Sequence, residues 1–142
     1  MKKVGVFYWS GSGNTEAMAN AIGKGLEAGG VDFDIINISE GTKDTKDYEM
    51  LMFGCPSMGV EVLEEGEFEP FFESVEGLIS GKKVALFGSY GWGDGEWMRN
   101  WQERVENAGG NLFNDEGLII NETPDEAGIA QCEEFGKSFA QC

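Results

Sequence analysis

The sequence predicts an α/β protein in which a parallel sheet is covered by helices on both faces. Three observations carry that prediction. Several short runs, residues 4–9 first among them, are continuously apolar and rich in β-branched or aromatic residues, the mark of strands buried on both faces. Longer segments between them carry apolar residues every three or four positions, so strand and helix alternate along the chain. The 142 residues are 41% apolar and include four Trp, three Tyr and ten Phe, enough for one well-filled core and one domain, 1–142.

Each element follows from its pattern. Residues 4–9 form the first strand, and residues 15–27 a helix whose Met18, Ile22 and Leu26 share one face. Residues 33–38 and 50–54 read as strands two and three. Residues 69–79 read as a second long helix with Phe72, Val75 and Ile79 aligned. Residues 84–88 make strand four, and residues 97–108 a helix with Met98, Trp101 and Val105 on one side. Residues 118–120 give a fifth strand. Pro124 then precedes a final helix starting near Asp125, with acidic residues in its first turn as the helix dipole favours.

Composition excludes several functions. With 10 basic and 26 acidic side chains the formal charge is −16, which argues against nucleic acid and anionic membrane surfaces as partners. Absence of histidine removes imidazole acid–base catalysis and imidazole metal sites. Cys55, Cys132 and Cys142 form no CxxC pair and no even framework of disulfides. The opening MKKVGVFYWSGSG passes from a run of about seven apolar residues straight into glycines, too short for a secretory leader. No stretch approaches the roughly 20 apolar residues of a membrane span. The expectation is a cytoplasmic protein with reduced thiols.

In open α/β sheets ligands bind at the carboxyl ends of the strands, near the switch in strand order. The segments there are residues 10–15, 55–61 and 89–95, all rich in Gly, Ser or aromatic residues. In the first, Ser10-Gly11-Ser12-Gly13-Asn14-Thr15 offers backbone N–H groups, hydroxyls and a helix N-terminus, which together can hold a phosphate without a lysine. The plainer reading is a strand-to-helix turn capped by Asn14 or Thr15. A dinucleotide GxGxxG needs glycine where Glu16 stands, and a Walker A motif ending at Gly136-Lys137-Ser138 needs glycine at Gln131. A receiver aspartate is missing at Gly54 and Cys55, and a phosphatase arginine is missing between Cys55 and Arg99.

The other two segments carry exposed aromatic and thioether groups. Trp92, between glycines in Ser89-Tyr90-Gly91-Trp92-Gly93, leaves a large apolar face in water unless a ring or a partner covers it. Pro56-Ser57-Met58-Gly59-Val60-Glu61 supplies a polarisable thioether, a flexible glycine peptide and a carboxylate. Met58 and Trp92 could flank one planar heterocycle; alternatively Met58 fills a gap and Trp92 serves an interface.

Together WSGSGNT, GCPSMGVE and GSYGWGDGEW resemble the loops of short-chain flavodoxins, and the similarity runs through the whole chain. The resemblance implies a three-layer sandwich with a five-stranded parallel sheet in order 2-1-3-4-5 and one non-covalent FMN. It implies that Ser10, Gly11, Ser12, Gly13, Asn14 and Thr15 hold the phosphate, with Ser89 helping, and that Trp9 also contacts the cofactor. Met58 would cover the inner face of the flavin and Trp92 the outer face. Glu61 would accept from the N3 edge, backbone N–H groups near Gly91 to Gly93 would face the O2 side, and Pro56, Ser57 and Tyr90 would complete the pocket. Two departures stand out: Val60 replaces a residue that is often polar or small, and Pro56 lacks both N–H and hydroxyl, leaving it a packing role.

The resemblance implies a low-potential electron carrier rather than an enzyme, with the Gly59–Val60 peptide turning on reduction so that the Gly59 carbonyl accepts from flavin N5–H. A small FMN-dependent reductase and a flavin-free receiver-type module are the competing readings; Trp92 stacked on the flavin would block a reductase's substrate pocket. From Lys46 to Lys82 no basic residue intervenes, and seven glutamates fall between positions 61 and 76. Most are expected on a solvated face. Collectively they would place a negative rim beside the flavin edge, lowering a potential and steering basic redox partners such as reductases and ferredoxin-linked enzymes to a monomer.

Overall fold

A computed structural model describes residues 3–142; Met1 and Lys2 of the opening run lie outside them. Strand β1 (Lys3–Tyr8) leads to helix α1 (Asn14–Ala28), then β2 (Asp32–Asn37), β3 (Met50–Gly54), α2 (Phe68–Glu76), β4 (Lys83–Tyr90) and α3 (Glu96–Asn107). The chain ends with β5 (Asn111–Leu112), β6 (Leu118–Asn121) and α4 (Glu126–Ala140). All pairings are parallel, in the order β2-β1-β3-β4, with β5 and β6 both on β4. The expected 2-1-3-4-5 order is therefore present, with its fifth position split. β5 pairs with Lys83 and Val84, and β6 with Phe87 to Tyr90. Between them Asn114 and Asp115 adopt left-handed φ of 62° and 60°, which no strand can hold.

The sheet separates two apolar layers. Val4, Val6 and Tyr8 of β1 face α1 and α4, where Met18, Ile22, Leu26, Cys132 and Phe139 are buried. The alternate residue Phe7 faces α2 and α3, with Phe53, Phe68, Phe72, Trp97, Trp101 and Val105. The aromatic residues pack edge to face: Phe68 and Phe72 meet Trp101 at 5.5 and 5.8 Å between ring centroids, near right angles. Sequence periodicity thus identified the core faces of α1, α2 and α3, but overran α2. That helix stops at Glu76 with Gly77 as its cap, and Ile79 is buried beyond its end. Asp125 caps α4, its carboxylate accepting from Gly128 N–H at 2.8 Å. No helix among the described residues is long and apolar enough to cross a membrane.

Candidate functional site

Trp9 N–H extends the β1–β3 ladder to Gly54 O, and the chain then turns through residues 10–13 into α1. Neither Asn14 nor Thr15 caps that helix. Gly13 is the cap, at φ +97°, and Ser10 Oγ accepts from Gly13 N–H at 3.1 Å and Glu16 N–H at 3.2 Å. Two backbone donors therefore converge on one oxygen, and a phosphoryl oxygen, a stronger acceptor, fits the same convergence. Asn14 and Thr15 face neighbouring elements instead. Asn14 Oδ1 accepts from Thr123 Oγ1 at 2.9 Å. Buried Thr15 Oγ1 shares a 2.9 Å hydrogen bond with buried Ser89 Oγ, which stitches α1 to β4. Ser89 and Tyr90 belong to β4 rather than to the following loop.

Residues after β3 form a tight hairpin. Met58 and Val62 exchange both backbone hydrogen bonds, at 2.8 and 3.0 Å, leaving Gly59, Val60 and Glu61 at the tip. Gly59 has φ +50° with open space where a Cβ would stand, so its peptide can turn without moving the pinned base. Val60 is 81% exposed. Glu61 also has positive φ, 56°, and is only 8% exposed.

The Glu61 carboxylate faces α3. Its Oε1 accepts from Gly95 N–H at 3.1 Å and Glu96 N–H at 2.9 Å, capping a helix whose own cap residue, Gly95, has no side chain. It also packs against Gly93, whose Cβ would stand 2.5 Å from the carboxyl carbon. Glu61 therefore joins the second loop to the third. In that third loop Trp92 is 65% exposed, and Arg99 donates to Asp94 O and Oδ1 at 3.0 and 2.9 Å.

A cleft of about 470 Å³ lies among these segments. Its wall takes Trp9, Gly11, Ser12 and Asn14 from the first, Pro56, Ser57 and Met58 from the second, and Ser89, Tyr90 and Gly91 from the third. Ser57 N–H donates to Ser89 O at 2.9 Å, continuing the β3–β4 ladder beyond Gly54. Ser10, Gly13, Thr15, Gly59, Glu61, Trp92 and Gly93 are absent from that wall. Of these Thr15 is buried, whereas Gly59 and Trp92 are exposed. The cleft also includes Glu122, which sequence reading missed although it follows β6 at the ligand end of the sheet.

The acidic run is less idle than expected. Five of its seven glutamates have specific partners. Besides Glu61, Glu64 accepts three N–H groups at the start of α2, at 2.7 to 2.8 Å. Burial opposes ionisation of Glu64, but those donors outweigh it and hold the carboxyl below its usual range. Glu67 accepts from Trp9 and Ser39. Glu69 and Glu76 clamp Arg104, whose guanidinium stacks 4.9 Å from the Phe72 ring. Glu65 and Glu73 remain exposed.

Comparison with known proteins then decides the family. The Flavodoxin family model matches residues 6–136. The chain belongs to the flavodoxin family. It is similar to the flavodoxin of Clostridium beijerinckii, with 52% identity over 95% of this chain and 97% of that one. It is also similar to the flavodoxin of Megasphaera elsdenii, at 43% identity over 97% and 98%. The solution structure of the two-electron reduced Megasphaera protein superposes with a TM-score of 0.86, covering 98% of this chain and 99% of that one. An archaeal flavodoxin superposes at 0.87 with 29% identity, over 98% and 96%. As a flavodoxin, the protein binds FMN and carries electrons to redox partners rather than acting as an enzyme. Converging donors on Ser10 Oγ, the three-loop cleft and the exposed Met58 and Trp92 side chains fit that cofactor.

Proposed function

We propose that this single domain, 1–142, is a cytoplasmic, monomeric, low-potential carrier that passes one electron at a time to basic redox proteins. Bound FMN supplies the redox chemistry. The chain's residues set where it sits and what field it feels. Residues 10–15 hold the phosphate end through N–H groups and hydroxyls, with Ser89 fixing Thr15 from beneath. Met58 and Trp92 offer apolar faces to the two sides of the ring system, and the Gly91–Gly93 backbone faces its polar edge. Glu61 keeps Oε1 on α3 and has a second carboxylate oxygen for the N3 edge.

The hairpin tip provides the moving part. Its base is pinned by the Met58–Val62 pair, and the Gly59 carbonyl lies in the segment free to turn and accept a hydrogen bond from an N–H donor. Val60 is stiff and β-branched, so it changes how easily that turn occurs.

The observation that carries the partner reading is the charge, −16 overall, with the hairpin and α2 rich in glutamate beside the cleft. Two of those glutamates share the positive Arg104, and the others keep the rim negative. Such a rim disfavours a further negative charge nearby and attracts basic surfaces. The test is stopped-flow electron transfer from the reduced protein to cytochrome c, a basic one-electron acceptor, over a range of ionic strength. The rate falls steeply as salt rises if the rim steers. A salt-independent rate contradicts the reading.

A further inference from the structure

The turn that leads into α2 also reaches the phosphate loop. Glu67 stands immediately before α2, and its Oε1 accepts from Trp9 Nε1 at 3.0 Å and from Ser39 Oγ at 3.0 Å. One carboxylate oxygen therefore joins the segments after β1 and β2 to the start of α2. Glu67 is itself held in place. Glu64 Oε1 accepts from Glu67 N–H at 2.7 Å, and Glu64 N–H reaches back to Cys55 Sγ at 3.4 Å. At the far end, the six-membered ring of Trp9 lies against Gly11, where a Cβ would stand 2.9 Å from Trp9 Cη2. The indole is thus fixed at its donor nitrogen and pressed on the loop with its ring.

We propose that Glu67 is a positioning residue for phosphate recognition: through Trp9 it braces residues 10–13 in the conformation that brings the Gly13 and Glu16 N–H groups together. The proposal rests on the reading that this loop holds the FMN phosphate. It has an unusual sign. A carboxylate near a phosphate repels it, so if Glu67 acted only through its charge, removing it would tighten FMN binding. As a brace, removing it loosens FMN binding, although a negative charge has gone.

The experiment is titration of the apoprotein with FMN and with riboflavin, which lacks the phosphate, followed by quenching of flavin fluorescence. Glu67→Ala weakens FMN binding about three- to tenfold, the range for one or two net hydrogen bonds, and leaves riboflavin within about twofold. Glu67→Gln keeps an oxygen acceptor for both donors and restores FMN to within about twofold of the parent. Trp9→Phe removes the donor, and its loss does not add to that of Glu67→Ala. FMN bound as tightly or more tightly by Glu67→Ala overturns the proposal, as does equal loss of both flavins or full additivity with Trp9→Phe. A parent protein that fails to prefer FMN over riboflavin instead removes the phosphate-loop reading itself.

Discussion

Replacing Glu61 with alanine separates its two jobs, because one of them exists without cofactor. In the fold Glu61 Oε1 takes the Gly95 and Glu96 N–H groups at the start of α3, and the side chain is almost fully covered. Loss of a side-chain cap costs about 1–2 kcal/mol, and charge-assisted bonds of this kind sit at the upper end. Helix α3 carries Trp97, Met98, Trp101 and Val105 into the core, so fraying at its start is felt beyond the first turn. We expect Glu61→Ala to destabilise the apoprotein by about 2–3 kcal/mol, which at this size lowers Tm by roughly 6–10 °C. Glu61→Gln keeps the acceptor and loses only the charge–dipole part, about 0.5–1 kcal/mol. Glu61→Gly loses the cap but relaxes the φ of 56°, so it is about 1 kcal/mol less damaging than alanine. Urea and thermal unfolding of FMN-free protein measure these differences without a contribution from ligand linkage. An alanine variant within about 0.5 kcal/mol of the parent, or a glutamine variant as unstable as alanine, would refute the capping argument.

Three further outcomes are expected. Gly136→Ala drives a Cβ into the Ile22 carbonyl oxygen across the α1–α4 seam, so chemical denaturation registers a loss of at least about 3 kcal/mol; a change below about 1 kcal/mol contradicts the seam. Gly59→Thr puts a β-branched residue at φ +50° on the hairpin tip. It should narrow the separation between the two one-electron potentials by about 60 mV or more, and an unchanged separation removes the turning-peptide role. Acid destabilises through Asp34, held low by the Tyr48 hydroxyl against burial and with help from Lys3, and through Glu64. Both carboxyls sit below their unfolded values, so their stabilisation is complete above the usual carboxylate range and is lost as pH falls through it. At the alkaline end burial and the Glu16 carboxylate push the Tyr8 hydroxyl up to about 12, so its contribution holds to about pH 10 and is gone by about pH 12. Urea midpoints from pH 3 to pH 12 check both limbs, and midpoints flat between pH 5 and pH 3 contradict the acid one.

What the sequence revealed was whatever repeats locally. Buried strands show as unbroken apolar runs, and Met18, Ile22 and Leu26 mark a helix face without reference to anything distant. The ligand end of the sheet was legible for the same reason, since three segments of unusual composition fall after three strands. Hidden features depend on partners far away in the chain. Glu61 reaches α3 across 35 positions, Trp9 reaches Glu67 across 58, and Thr123 reaches Asn14 across 109. A run of glutamates gives no local sign of which ones cap helices, and five of seven do structural work that a solvated face would not require. The fifth strand was read short because its break rests on left-handed Asn114 and Asp115, residue types that tolerate that conformation without announcing it.

The most direct test of the central claim is an anaerobic redox titration of the FMN-loaded protein, followed by absorbance. Two resolved one-electron steps are expected, with the second at lower potential and moving upward as salt screens the acidic rim. A single two-electron step, unchanged by salt, would contradict it.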